Sequence, residues 1–384
     1  MPSWKSLIFS TFINNSLAKS TRPENACYSF IQITDPQFGY GDKYVTRKYS
    51  GNWTEELNVA KKAMWIIEEK LVPKLEFENR PLSFISITGD LVNDQLEENV
   101  IPTYSNQYNL QQIYDFKQAF FNDNSTIPRF VIPGNHDLGK CFDQKTIDSY
   151  KNHFGPNYYY KTDESVASNQ NFTLFLHLDS NLFVNGLVSD HFSNKYCKDI
   201  SKVSKKMKKE ASKMVKEQLK FLNRTIKKFQ SIKAKKLTKI VIFQHHKMFI
   251  RSFLEPDFRP PHWQDQIPLK FRRKLDAILP KNIPITILNG HVHMSEEKFQ
   301  EMIEMKHSSE EILSFDSLAQ NSGSRTNIED KTFWALNWNQ QYDDFGNWLG
   351  PFRELGGFRL FTNCYDSDEI ESEIFLEREW DNII

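Results

Sequence analysis

The chain has 384 residues, 39% of them apolar and 14% aromatic, with 31 Phe, which excludes a wholly disordered or low-complexity protein. Lys+Arg and Asp+Glu both number 49, so the balanced charge gives no global electrostatic reason to expect nucleic acid or an anionic membrane as partner. The length admits one large domain or two.

The amino-terminal stretch "MPSWKSLIFSTFINNSLAKS" holds only a short apolar run broken by Ser and Thr, and no cleaved signal is expected. Residues 1–26 read as an extension, which can be disordered, ahead of a domain over 27–384. Residues 28–34, "YSFIQIT", predict a strand; 55–72 predict a helix with Thr54 as N-cap; 83–88, "SFISIT", predict a second strand. A helix over 107–121 leads to a strand over 129–133. Strands alternating with helices over short connections predict a sheet layered against helices.

Beyond residue 157 the strand-like runs "YYYKT" and "NFTLFLHLDS" precede a lysine-rich segment over about 195–237. Within it Val215, Leu219, Leu222, Ile226 and Phe229 recur at helical spacing, which places the lysines mostly on a solvated face. Alternation then resumes: strand 239–244, helix 268–279, strand 284–289. The runs "EILSFDSLAQ" and "GFRLFTNCYDSDEIESEIFLE" read as closing strands. No run of about 20 apolar residues occurs, so no membrane-spanning helix is predicted. Cys27, Cys141, Cys197 and Cys364 are too scattered for a disulfide framework, so a reducing, cytoplasmic setting is expected. The sequons at Asn52 and Asn171 carry no weight without a secretory signal.

Five of the predicted strands stop at polar clusters. The first runs into "TDPQFG", whose Asp35 and Gln37 share one face of an extended chain; the second into Gly89 and Asp90; the third into Gly134, Asn135, His136 and Asp137. The strand at 239 ends in His245 and His246, and the strand at 284 in Gly290, His291 and His293. Any one of these alone is an ordinary turn or a core histidine. Five, each after an apolar run, point to convergence at the carboxyl ends of strands, where open strand–helix sheets gather their ligands. Imidazole, carboxylate and amide without thiolate suit hard-to-borderline divalent or trivalent metals, and the donors are too many for one ion. Nucleophile elbow, Cys-x5-Arg and Walker loops are all missing from the sequence.

The order D-x-[H/Q], GD, GNH[D/E], H, GHxH, running from Asp35 to His293, resembles the calcineurin-like metallophosphoesterase superfamily. That resemblance implies an α/β (α+β) fold, a four-layer αββα sandwich of two mixed sheets flanked by helices, with the lysine-rich helix as an insertion. It implies two divalent or mixed-valence ions, drawn from Mn, Fe, Zn and Mg. Asp35, Gln37 and His293 would hold the first; Asn135, His245 and His291 the second; Asp90 would bridge both. His245 is preferred to its neighbour His246 on family position. His136 would stand beside the scissile phosphate as a catalytic group with Asp90, and Asn135, His136 and His246 would contact substrate. Most members carry His where this chain has Gln37, so the first ion is expected to bind loosely or to prefer Mg²⁺ or Mn²⁺.

The strings "TDPQFG", "GDL" and "PGNHDLG" look like a branch of the superfamily that acts on phosphoserine and phosphothreonine in proteins. The expected activity is a dinuclear metal-dependent phosphomonoesterase in which a metal-bridging hydroxide attacks phosphorus, on a phosphorylated protein substrate. A phosphodiesterase or nucleotide hydrolase, and a non-catalytic binding protein of the same fold, are the alternatives. Arg251, Arg259, His262 and Trp263 are further candidates for substrate contact, a surface loop being the plainer reading of 251–264.

Overall fold

In a computed structural model of the protein the described residues are 27–42, 50–93, 108–121, 125–138, 144–163, 171–185, 205–232, 236–247, 269–291, 293, 328–332, 335–337, 339–342, 348–352, 356–365, 367 and 369–383. The extension 1–26, Cys141, Cys197, the candidate strand "EILSFDSLAQ" and the 251–264 segment lie outside them.

The first sheet is built on β1 (Cys27–Ile33), β2 (Leu82–Thr88) and β3 (Arg129–Ile132), which run parallel to one another. The second contains β4 (Tyr159–Thr162), β5 (Phe172–His177), β6 (Leu237–Phe243), β7 (Ile285–Asn289) and β8 (Ile328–Thr332) in that order, with only β4 antiparallel to its neighbour. A two-stranded pair, β9 (Asn339–Tyr342) and β10 (Trp348–Phe352), stands apart from both sheets. The chain then returns to the first sheet as β11 (Gly357–Cys364) and β12 (Ile370–Leu376), antiparallel and outside β1. Both sheets are therefore mixed.

The central strands are buried on both faces, which explains why they read as near-continuous apolar runs. Alternate residues serve two cores. Phe30, Phe84, Phe175 and Phe243 meet between the sheets: Phe30 stacks on Phe84 and Phe361 at 5.3 and 4.9 Å within its own sheet and stands edge-on to Phe175 and Phe243 at 5.3 and 5.9 Å across the gap. Ile31, Ile33, Ile85 and Ile87 on one sheet and Leu174, Leu176, Ile240 and Ile242 on the other turn outward to the helix layers.

Those layers comprise α1 (Thr54–Ile66), α2 (Asn109–Phe120), α3 (Gln144–Phe154), α4 (Lys205–Gln230) and α5 (Leu269–Ile278). The first outlasts its predicted end at 72: a π turn, Ile67–Leu71, carries it into Val72–Phe77. Pro73, with no N–H to give the preceding turn, accounts for the wider spacing there. Thr54 is the first helical residue rather than the N-cap, and its N–H is taken by Asn52 Oδ1 at 3.1 Å. On α4, Val215, Leu222, Ile226 and Phe229 are buried and Leu219 partly so, while Lys209, Lys213, Lys216, Lys220, Lys227 and Lys228 are exposed, as the stripe requires.

The reading of the cysteines is also corrected. Cys27 and Cys364 form a disulfide, facing each other in the β1–β11 register. Their separation of 337 residues hid the pairing, because only the return of β11 to the first sheet makes them neighbours.

Candidate metal centre

Every predicted strand-end residue lies where its strand stops. Asp35 and Gln37 follow β1, Asp90 follows β2, Asn135 and His136 begin a one-turn helix after β3, His245 and His246 follow β6, and His291 and His293 follow β7. The cluster straddles the seam between the two sheets. Hydrogen bonds sew that seam: His291 N–H donates to both oxygens of Asp35 at 3.1 Å, and Gln32 Nε2 reaches Thr88 Oγ1 at 3.1 Å and the Asn289 carbonyl at 3.3 Å.

The backbone bends sharply here. Six non-glycine residues among those described have positive φ, and five are Asp35 (50°), Gln37 (37°), Asp90 (49°), His291 (67°) and His293 (55°). L-residues disfavour this conformation, and such outliers gather at functional sites because the surrounding structure over-determines them. Two glycines let the strand ends approach. A Cβ on Gly134 would collide with the carboxylate and backbone N of Asp90, and one on Gly290 with Thr34 Oγ1 and Asp35 Oδ2.

Two oxygens stand close to one imidazole nitrogen. His245 Nδ1 lies 2.9 Å from the Thr88 carbonyl, which only accepts, so Nδ1 carries the proton there. Its Nε2 therefore presents a lone pair at 3.0 Å from Asn135 Oδ1 and 3.3 Å from Asp90 Oδ2. A cation among them resolves the clash of acceptors. Without one a proton on His245 does the same: burial pulls its pKa down, but Asp90 and Asp35 push it up to about 9. Burial works to raise the Asp90 carboxyl, and His245, His136 and His291 overcome it and hold it well below the usual carboxylate range. Burial first, then neighbouring imidazoles, keep His246 and His291 neutral, well below the ordinary histidine value.

The other side of Asp90 has its own donor set. Gln37 Nε2 donates to Asp90 Oδ2 at 3.0 Å, while Gln37 Oε1 is buried with no hydrogen-bond partner. His293 Nε2 lies 3.1 Å from Asp35 Oδ1. Among the described residues, Asp35, Asp90 and His245 bring ligand atoms within 4.8 Å of one another, as do His245, His246 and His291. Oxygen and imidazole donors around an orphaned amide oxygen fit a divalent metal. His136 lies outside this convergence: its backbone N–H donates to Asp90 Oδ1 at 2.8 Å, its Nδ1 is 3.1 Å from the Asn93 carbonyl oxygen, and its side is partly exposed.

The calcineurin-like phosphoesterase family model matches residues 28–295, a span that takes in all of these residues. The chain belongs to that family. It is 32% identical over 135 residues to serine/threonine-protein phosphatase CPPED1 of Danio rerio, 34% of this chain and 38% of that protein. Over the same shares it is 29% identical to CPPED1 of Bos taurus. The match thus spans little more than a third of these relatives' length. Among solved structures it is similar to GAP50, the anchor in the inner membrane complex of Plasmodium, with a TM-score of 0.46 and 12% identity, covering 91% of this chain and 85% of that one. Haemophilus influenzae NAD nucleotidase gives 0.33 and 12%, covering 92% and 50%. No helix among the described residues is long and apolar enough to cross a membrane.

Two parts of this site have tasks that the sequence did not reveal: Asp137, named with its cluster but given no role, and a strand end left out altogether. Asp137 accepts three backbone N–H groups, from Leu91 and Val92 on one oxygen and Gly134 on the other, at 3.0, 3.2 and 2.7 Å. It clamps the Asn135 loop to the Asp90 loop. Burial and the Asp90 charge push its carboxyl up to about 8 against the pull of those amides. The second part is a sixth strand end, Asp179, Ser180 and Asn181 after β5. Ser180 Oγ accepts the N–H groups of His245 and His246 at 3.2 and 2.9 Å, and Asn181 Nδ2 reaches the Pro133 carbonyl at 3.0 Å. The signal was present, since "LHLDSN" also runs from apolar residues into polar ones.

Proposed function

We propose that this chain is a phosphomonoesterase acting on phosphoserine or phosphothreonine in proteins, with two divalent metal ions at the seam between the sheets. The convergence of His245 Nε2, Asn135 Oδ1 and Asp90 Oδ2 carries the reading, because an amide oxygen and a carboxylate oxygen 3.0 and 3.3 Å from a buried imidazole nitrogen form a donor set that a divalent ion would satisfy in place of a proton. Asp35, Gln37 and His293 would hold one ion, Asn135, His245 and His291 the other, and Asp90 both. Metals bound there supply Lewis acidity toward phosphoryl oxygens and a more acidic water. The amide at position 37 favours Mn²⁺ or Mg²⁺ over softer ions, with Fe and Zn as the other candidates.

The protein's own groups set the geometry. Asp137 and Gly134 fix the Asn135–His136 turn against Asp90, and Asp35 anchors the His291 backbone across the seam. The Asn93 carbonyl accepts from Nδ1–H of His136 and so orients the ring, which in its doubly protonated form would pass its Nε2 proton to the departing alkoxide. Similarity to the CPPED1 phosphatases supports a phosphorylated protein as substrate. For location, we propose a compartment in which Cys27 and Cys364 stay oxidised, in place of the cytoplasm expected from scattered cysteines.

Metal analysis of purified protein, run beside hydrolysis of a phosphoserine peptide and a phosphodiester, tests the proposal. About two metals per chain and faster turnover of the peptide are expected. Preference for the diester overturns the monoesterase reading, and metal-free protein with full activity overturns the metal centre.

A further inference from the structure

His246 is fully buried, at 1% exposure, and its ring stands 4.9 Å from that of His245 and 4.6 Å from that of His291. Its tautomer follows from the bonds of one hydroxyl. Ser180 Oγ accepts two backbone N–H groups, from His245 and His246, which occupy both of its lone pairs. Its own proton therefore goes to His246 Nδ1, 2.8 Å away, so Nδ1 is the acceptor and Nε2 carries the N–H. That N–H is buried and has no hydrogen-bond partner. A protonated ring nitrogen has no lone pair for a metal. An unsatisfied buried donor costs about 1–3 kcal/mol, and such groups persist where a ligand completes them. Gln244 Nε2 pins the same turn by donating to the His246 carbonyl at 2.8 Å, so the ring sits on a fixed backbone.

We propose that His246 binds the substrate phosphate, donating its Nε2–H to a phosphoryl oxygen, with Ser180 as the positioning residue that fixes the tautomer. The proposal rests on the phosphoesterase reading of the site and assigns the two adjacent histidines opposite tasks: His245 offers a lone pair and His246 a proton. Ligands able to use it are phosphomonoesters, inorganic phosphate and tetrahedral oxyanions of the same shape.

Three measurements test it. Nitrogen–proton correlation spectra of labelled protein should show His246 as the Nε2–H tautomer in the parent and a mixture in Ser180→Ala; an Nδ1–H ring in the parent overturns the proposal. Calorimetric titration of Mn²⁺-loaded protein with inorganic phosphate should give affinity weakened about 10- to 100-fold in His246→Phe, with metal content unchanged and partial recovery in His246→Gln, which keeps a donor at that reach. Unchanged phosphate affinity in His246→Phe, loss of metal from it, or a parent that binds no phosphate overturns the proposal. Should the variants not fold, the parent's tautomer decides. A parent that binds phosphate but hydrolyses no phosphomonoester defeats the enzymatic reading alone; an active parent whose His246→Phe form binds phosphate equally well defeats this one alone.

Discussion

Gln37 gives its Nε2–H to Asp90 Oδ2 at 3.0 Å and keeps its own Oε1 buried without a partner. The amide thus spends its donor on the residue proposed to bridge both ions and leaves its weak, neutral acceptor for the ion proposed beside it. Imidazole is the stronger donor to late first-row ions. Gln37→His should therefore resist chelator inactivation better than the parent in Zn²⁺ or Mn²⁺. Overlapping chelator curves would return Gln37 to the role of a turn residue.

Asp90 engages both halves of the centre, with His136 N–H on one oxygen and Gln37 and His245 on the other. Asp90→Asn keeps the shape and removes the charge. Bound metal should fall and nearly all hydrolysis should disappear, while circular dichroism stays close to the parent's. Retained metal and turnover would defeat the dinuclear assignment.

For His136 the leaving group is the discriminator. Serine alkoxide needs a proton, p-nitrophenolate does not, and general-acid help is worth about 10²–10⁴-fold. His136→Ala should keep its metals and lose far more activity on a phosphoserine peptide than on p-nitrophenyl phosphate. Equal losses would make His136 a phosphate-orienting group instead.

The candidate metal-site residues were legible because each follows an apolar run, and the fold brings strand ends together whichever sheet they belong to. Asp35 and His291 could be listed from the sequence, but not their contact across a seam, since nothing local says that β1 and β7 belong to different sheets. Nor was the strained backbone visible: positive φ at Asp35, Asp90 and His291 occurs at residues that do not advertise it, as glycine would. Asp137 was named with its cluster and Ser180 stands at a strand end like the others, but their tasks were illegible because both hold backbone N–H groups of other loops, contacts that leave no spacing signature.

The Cys27–Cys364 bond joins β1, which leads to Asp35, to β11, which pairs with it from the far end of the chain. Removing a native disulfide typically costs about 2–5 kcal/mol. Cys27→Ser should lower the melting temperature, and reductant should do so in the parent but much less in the variant. Equal effects of reductant on both would show that this pair is not the one reduced.

His177 lies stacked between Tyr159 at 4.5 Å and Phe243 at 4.8 Å, in the core between the sheets, with neither ring nitrogen hydrogen-bonded. Burial, aided by Lys161, drives its pKa well below 6.5. The folded state therefore holds the neutral ring, while the unfolded chain takes up a proton below about pH 6.5. The stability tied to the neutral ring is full above that pH and is lost as the pH falls, by about 1.4 kcal/mol per unit until the folded pKa is reached. His177→Phe keeps the stack, removes two unsatisfied nitrogens and abolishes the proton uptake. Denaturant melts should show it more stable than the parent by about 1–3 kcal/mol at pH 7.5 and by a larger margin at pH 5.5. A margin that does not widen on acidification would mean that His177 is satisfied in the folded protein, for instance by a buried water.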